Sequence, residues 1–241
     1  MLGLASGCGG TGPAAHDLII AAGTDPAVVQ ASPPAGPALP ATPRGTAYIP
    51  KLGPQTLATI PRETKQVVVV SAKALTSTTS LVSEWQRTPT GWVRVRGPLP
   101  AHNGYLGWSE HHEAGDGKTP IGTYTLTSAG GELPDPGTRL PYDQQTGYYD
   151  VGGTFLGHDL AGSFDYVLSI DYNHVPGSPP SDYRMPLGTD RGQGVWFHVD
   201  HGSPTHACVS IAREQMRLLL RWLRPADRPV VVMGTRTDVE R

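Results

Sequence analysis

The chain has 241 residues with a formal charge of −2, and only 17 % of them are charged. That balance carries no basic footprint for nucleic acid, and no stretch is long and apolar enough to form a transmembrane helix. The 30 glycines and 24 prolines, set against 7 % aromatic residues, point to a turn-rich, mainly β protein rather than a helical bundle.

The chain opens with MLGLASGC, small residues ahead of Cys8, followed by a glycine-rich stretch. This resembles a bacterial lipoprotein signal, in which the cysteine becomes the lipid-bearing residue. The seven residues before it lack a basic region, so a plain glycine-rich tail is the alternative. Residues 9–62 are rich in Ala, Pro and Gly, as in ASPPAGPALPATPRG. Such composition stays extended and builds no core of its own. The expected organisation is a signal-like start and tether over 1–62 and one folded domain over 63–241, with Tyr48–Ile60 lying along the domain surface.

From Lys65 the pattern changes. Gln66–Val70 is a β-branched run and predicts a strand. Ser80–Arg87 and Trp92–Arg96 predict a hairpin with a four-residue loop at Thr88-Pro89-Thr90-Gly91. Further strands are expected over Ile121–Leu126, Phe164–Tyr172, Gly194–Val199 and Pro229–Met233. Ile211–Leu223 is the one clear amphipathic helix, with Met216, Leu219, Leu220 and Leu223 on one face. Ser210 is its expected N-cap and Pro225 follows its end.

Between the last strand before this helix and the helix itself stands WFHVDHGSPTHACVSI, Trp196–Ile211. It holds His198, Asp200, His201, His206 and Cys208. Three chemistries fit such a cluster. A solvated loop with an inert cysteine is the plainest. A metal site would draw on His198, Asp200, His201 and His206, but no second ligand cluster accompanies it: Glu110-His111-His112-Glu113 lacks the HExxH spacing. A nucleophile site needs a thiol, a base and an oxyanion hole. Cys208 supplies the thiol, His198 the base ten residues upstream, and the backbone N–H groups of 206–208 the donors. With the helix starting about two residues after Cys208, its dipole is expected to favour the thiolate.

Thr205-His206-Ala207-Cys208-Val209 resembles the Ser/Thr-His-Gly-Cys signature of the L,D-transpeptidases, the YkuD-type peptidoglycan cross-linking family, particularly its actinobacterial branch. His198 matches the histidine that this family carries on the preceding strand. Gly117-Lys118-Thr119-Pro120-Ile121-Gly122-Thr123-Tyr124 resembles the family's Thr-Pro-x-Gly-x-Phe/Tyr stretch. Together the likeness covers roughly Lys65 to Gly234. It implies a β-sandwich or barrel-like domain with one helix after the cysteine. It also implies acyl transfer by Cys208, with His198 as base, a carbonyl at Val199 fixing its tautomer, and His206, Ala207 and Thr205 lining the site. The implied partners are peptidoglycan stem peptides outside the cytoplasm, with no cofactor, no metal and no nucleic acid, and with Cys8 as the candidate lipid anchor. Rival readings are a hydrolase that uses water as acceptor and a wall-binding lipoprotein without activity. Three departures from the signature stand out. Ala207 replaces Gly, which would strain a position of positive φ. Ser210 stands where Asn or Arg is usual. The spacing from His198 to Cys208 is short.

Overall fold

The structure is a computed structural model that describes residues 45–147, 149 and 152–241. Cys8 and the tether as far as residue 44 lie outside the described residues. The elements are α1 (Pro54–Thr59), β1 (Gln66–Ala72), β2 (Thr79–Thr88), β3 (Gly91–His102), β4 (Trp108–Ser109), β5 (Thr119–Pro120), β6 (Gly122–Thr125), β7 (Ala129–Gly131) and β8 (Tyr142–Gln144). They continue with β9 (Thr154–Phe155), β10 (His158–Asp159), β11 (Val167–Ser169), β12 (Trp196–Val199), β13 (Val209–Ile211), α2 (Arg213–Trp222), β14 (Val230–Thr235) and α3 (Arg236–Val239). Ten strands form one large sheet in the order β6-β14-β1-β2-β3-β13-β12-β11-β7-β8. This is the mainly β architecture that the sequence implies.

Both faces of the sheet are covered, which is why β1 reads as an unbroken apolar run rather than an alternation. Val68 and Val70 join a core that includes Val82, Leu168, Phe197, Val209, Ile211 and the buried stripe of α2. Val67 and Val69 face the other way, into a second core with Trp85, Trp92, Val230 and Val232. Ile49 and Leu52 are buried in that second core, and Thr46 exchanges two backbone hydrogen bonds with Trp92, at 2.8 and 2.7 Å. The packed chain therefore begins upstream of residue 63, and only part of the Tyr48–Ile60 segment lies on the surface.

Two local expectations change. The β2–β3 strands run on to Thr88 and Gly91, so the hairpin loop is the two residues Pro89 and Thr90, with Gly91 at φ +115°. Ser210 is not a helix cap but the middle residue of β13, and α2 begins at Arg213 with no side-chain cap. β13 lies inside the sheet, with Ser210 paired to His198 on one side and to His102 on the other. Two ladders of backbone hydrogen bonds hold this segment extended, and the helical pattern takes over only where they end.

Candidate active site

Cys208 lies one residue ahead of β13, and β12 runs parallel beside it with Phe197 opposite Val209 and His198 opposite Ser210. Phe197 and Val209 point into the first core, so the alternation of strands sends His198 and Cys208 to the other face. Strand spacing, about 4.8 Å across and about 6.6 Å along, sets their Cα atoms about 8 Å apart on a diagonal.

The thiol is half-buried. Its Sγ donates to the carbonyl of Gly194 at 3.4 Å and accepts the N–H of Trp196 at 3.4 Å. Burial pushes its pKa up to about 11, against the smaller downward pull of the Trp196 N–H. This overturns the expected lowering by a helix dipole. α2 starts five residues after Cys208, with a whole strand between them, and a dipole fades within its own first turn.

His198 is buried, with its ring 4.9 Å from Phe164 and stacked on His201 at 5.7 Å and an interplanar angle of 3°. Its Nδ1 lies 2.9 Å from the Val199 carbonyl. A carbonyl only accepts, so Nδ1 carries the proton and Nε2 keeps its lone pair. Burial lowers the pKa of His198 to about 4, outweighing the upward effect of that carbonyl. At neutral pH the site thus holds a neutral thiol and a neutral imidazole.

Thr205 pins the signature loop. It is buried, and its Oγ1 donates to the Cys208 carbonyl at 2.7 Å. Its own backbone is paired on the other side, with Thr205 N–H on Asn103 O at 2.9 Å and Tyr105 N–H on Thr205 O at 2.7 Å. The backbone N–H groups of His206 and Ala207 donate to no acceptor among the described residues. Among the described residues the non-glycine positions of positive φ are Lys51, Leu156, Asn173 and Arg228; Ala207 is not one of them, and it packs against the first core. The alanine therefore imposes no left-handed strain on the loop.

The family model described as YkuD, the L,D-transpeptidase catalytic domain, matches residues 55–232. The chain belongs to this family. No curated protein and no solved structure matches it.

Within this L,D-transpeptidase domain the two sequence motifs meet. Thr119 of the Thr-Pro motif accepts the N–H of Gly104 on its Oγ1 at 2.8 Å, and Gly104 forms a parallel bridge with Thr205. The upstream motif thus braces the loop that carries the cysteine. Asn103, which the sequence reading missed, is buried at the same junction. Its Oδ1 accepts from Ser80 Oγ at 2.7 Å and its Nδ2 donates to Ser77 O at 2.8 Å. A lone asparagine at a strand end has no pattern to reveal this.

Also missed is an aromatic wall. The exposed ring of His206 sits 4.0 Å from Phe155 and 6.1 Å from Tyr105. Phe155 belongs to the small β9–β10 ribbon, so a separate segment of chain reaches the signature loop. Trp196 packs edge-on against Phe164 and Tyr149, both at 5.7 Å.

The residues of the metal reading have other engagements. Asp200 Oδ1 takes hydrogen bonds from His102 Nδ1 and Ser210 Oγ, each at 2.7 Å. Burial pushes the Asp200 carboxyl up, but these bonds outweigh it and hold its pKa low. His201 Nδ1 lies 3.0 Å from Ser203 Oγ. Among the described residues no three His, Cys, Asp or Glu side chains converge on a point where a metal could bind. Ser210, the second departure from the signature, orders the strand ends through Asp200.

Proposed function

We propose that the chain is a peptidoglycan L,D-transpeptidase with Cys208 as nucleophile and His198 as general base. The observation that carries this reading is the pairing of β12 and β13. It turns His198 and Cys208 to one face, and the Val199 carbonyl leaves Nε2 of His198 free to accept a proton. In the first half-reaction Nε2 takes the thiol proton as Sγ bonds to the carbonyl carbon of the third residue of a tetrapeptide stem. The carbon–nitrogen bond to the terminal D-Ala breaks, and the imidazole returns the proton to the departing amine. A thioester remains on Cys208. In the second half-reaction the side-chain amine of a neighbouring stem attacks that thioester, its proton passes through His198, and the thiol is restored. The N–H groups of His206 and Ala207 supply the oxyanion with donors, and Thr205 keeps the loop in place through the Cys208 carbonyl. Such a reaction belongs outside the cytoplasm at the cell envelope, and Cys8 is the candidate anchor.

Incubation of the protein with soluble tetrapeptide stems, followed by mass spectrometry, tests the reading. The expected products are a thioester at Cys208, free D-Ala and a cross-linked dimer. Turnover by Cys208→Ala at the wild-type rate would overturn it. Free tripeptide without dimer would instead assign a hydrolase.

A further inference from the structure

A groove of about 810 Å³ crosses the sheet on the face that carries the second core, and it contains neither Cys208 nor His198. Its floor is Val69 and Ser71 of β1 with Leu81 and Trp85 of β2, and one wall is formed by the Pro50–Leu52 stretch and α3. At one end it reaches His102 and Asp200. That end adjoins the proposed active site. Asp200 accepts the hydroxyl of Ser210, and Ser210 follows Cys208 by two residues, about 7 Å along the strand.

The charge of the groove is unusual for this chain. Lys51, Lys73, Arg94 and Arg236 all line it, although the whole chain carries a formal charge of −2. None of the four forms an ion pair among the described residues, whereas Arg96, Arg184, Arg213, Arg217, Arg228 and Arg241 each pair with a carboxylate. Of the two carboxylates in the lining, Asp200 and Glu240, the first sits at the end nearest Cys208. The groove therefore offers four cations with no carboxylate partner and, where it meets the site, the Asp200 carboxylate, whose Oδ1 already holds His102 and Ser210.

We propose that this groove binds an acidic peptide strand, the amine-donating stem of the second half-reaction. Its carboxylates lie on Lys51, Lys73, Arg94 and Arg236, and its free amine points past Asp200 toward Cys208. The proposal rests on the transpeptidase reading for the identity of the peptide. The charge pattern supports that choice: a stem of this kind carries several carboxylates and one amine, the mirror of what the lining presents.

The probe is a soluble tripeptide stem, which lacks the terminal residue and cannot acylate the cysteine. Its binding to the full chain is measured by calorimetry, and acylation of Cys208 by a tetrapeptide is measured separately by mass. Binding is expected to weaken as salt rises from about 20 to about 200 mM, as charge-driven contacts do. Reversing Lys73→Glu with Arg94→Glu should weaken it by about fivefold or more and flatten the salt dependence. A second pair on the facing wall, Lys51→Glu with Arg236→Glu, should do the same. Arg139→Glu, outside the groove lining and next to Thr138, which bonds the Leu220 carbonyl of α2, should leave binding unchanged. Binding that survives both reversals, or no binding at all, overturns the groove. Charge-dependent binding without any thioester keeps the groove and removes the transferase. A thioester with unaltered binding in both reversed variants does the opposite.

Discussion

Ala207→Gly restores the residue that the family signature carries, and the two possible consequences are opposite in sign. A strained alanine would gain speed from the change. The structure argues for the other sign, because Ala207 is not at positive φ and its methyl packs against the first core. Removing a half-buried methyl costs about 0.4 kcal/mol, taking about 0.8 kcal/mol for a fully buried one. The added freedom of glycine in the unfolded chain costs about 0.4–1 kcal/mol more. Together the loss is about 1 kcal/mol, a fall of about 2–4 °C in Tm for a domain of this size. The acylation rate should stay within about twofold of wild type, since Ala207 is not held in a left-handed conformation that glycine would relax. Thermal unfolding and single-turnover acylation, run on both proteins, decide the matter. A gain of about threefold to tenfold in acylation with no loss of Tm would refute the reasoning and mark this chain as a weakened member of its family.

Alkylation of Cys208 should rise steadily between pH 8 and about 11 rather than level off near the ordinary thiol value, because burial holds the thiol protonated; a plateau below pH 9 in a pH–rate series contradicts this. His198→Gln should cut acylation by about 10²-fold or more. The same substitution should alter the acid limb of stability. Above pH 6.5 the ring is neutral in both folded and unfolded chain; between 6.5 and about 4 only the unfolded chain takes the proton, so stability falls, by about 3 kcal/mol, and then levels out. Urea midpoints at pH 7 and pH 4.5 should show that loss shrinking in His198→Gln. Thr205→Val leaves the Cys208 carbonyl without its buried donor and should cost about 1–3 kcal/mol in stability together with a slower acylation; unchanged values in both assays would remove Thr205 from the brace. His206→Ala should lose less activity than His198→Gln, since in the proposed site its exposed ring, packed on Phe155, moves no proton, and the reverse order would reassign the base.

The strands around the site are legible in the sequence wherever a single segment decides its own structure. Val67–Val70 is β-branched throughout and lies inside the sheet, between β14 and β2. The stripe of Met216, Leu219, Leu220 and Leu223 is a helix face and nothing else. Trp196–Val199 has the short apolar character of an inner strand. What the sequence hides is settled by partners distant along the chain. Ser210 has the chemistry of a helix cap, yet it is claimed by β3, whose His102 is more than one hundred residues upstream. The thiol of Cys208 has the local setting of an activated cysteine, yet its pKa follows from burial and from the backbone of residues 194–196. Phe155 lies in a glycine-rich stretch with no periodicity, so its place against His206 has no local signal. Ile49 and Leu52 are isolated apolar residues at the edge of a proline-rich region, and only the rings of Trp85 and Trp92 on β2 and β3, buried in the same cluster, create a reason to bury them.

The neutral ground state of the proposed pair has a consequence for how the chemistry must run. With the thiol at about 11, making a free thiolate at pH 7 costs about 5 kcal/mol. Protonating His198, with a pKa of about 4, costs about 4 kcal/mol more. Even if the two ions came within about 4 Å of each other, their attraction would return only about 4 kcal/mol in a medium of effective dielectric near 20. A thiolate–imidazolium pair therefore lies about 5 kcal/mol above the neutral pair and is not the resting form. For the proposed pair this favours proton transfer in step with the forming sulfur–carbon bond, so that the charge leaving sulfur passes at once to the carbonyl oxygen and its N–H donors. In the proposed reaction the Trp196 N–H on Sγ would stabilise the early part of that transfer, and the Gly194 carbonyl would hold the proton until a substrate carbonyl arrives. On this argument the cysteine is slow toward small reagents and fast only toward a ligand that fills the cleft. The difference between its alkylation rate and its acylation rate by a stem peptide is then a direct measure of how much the bound peptide contributes to activation.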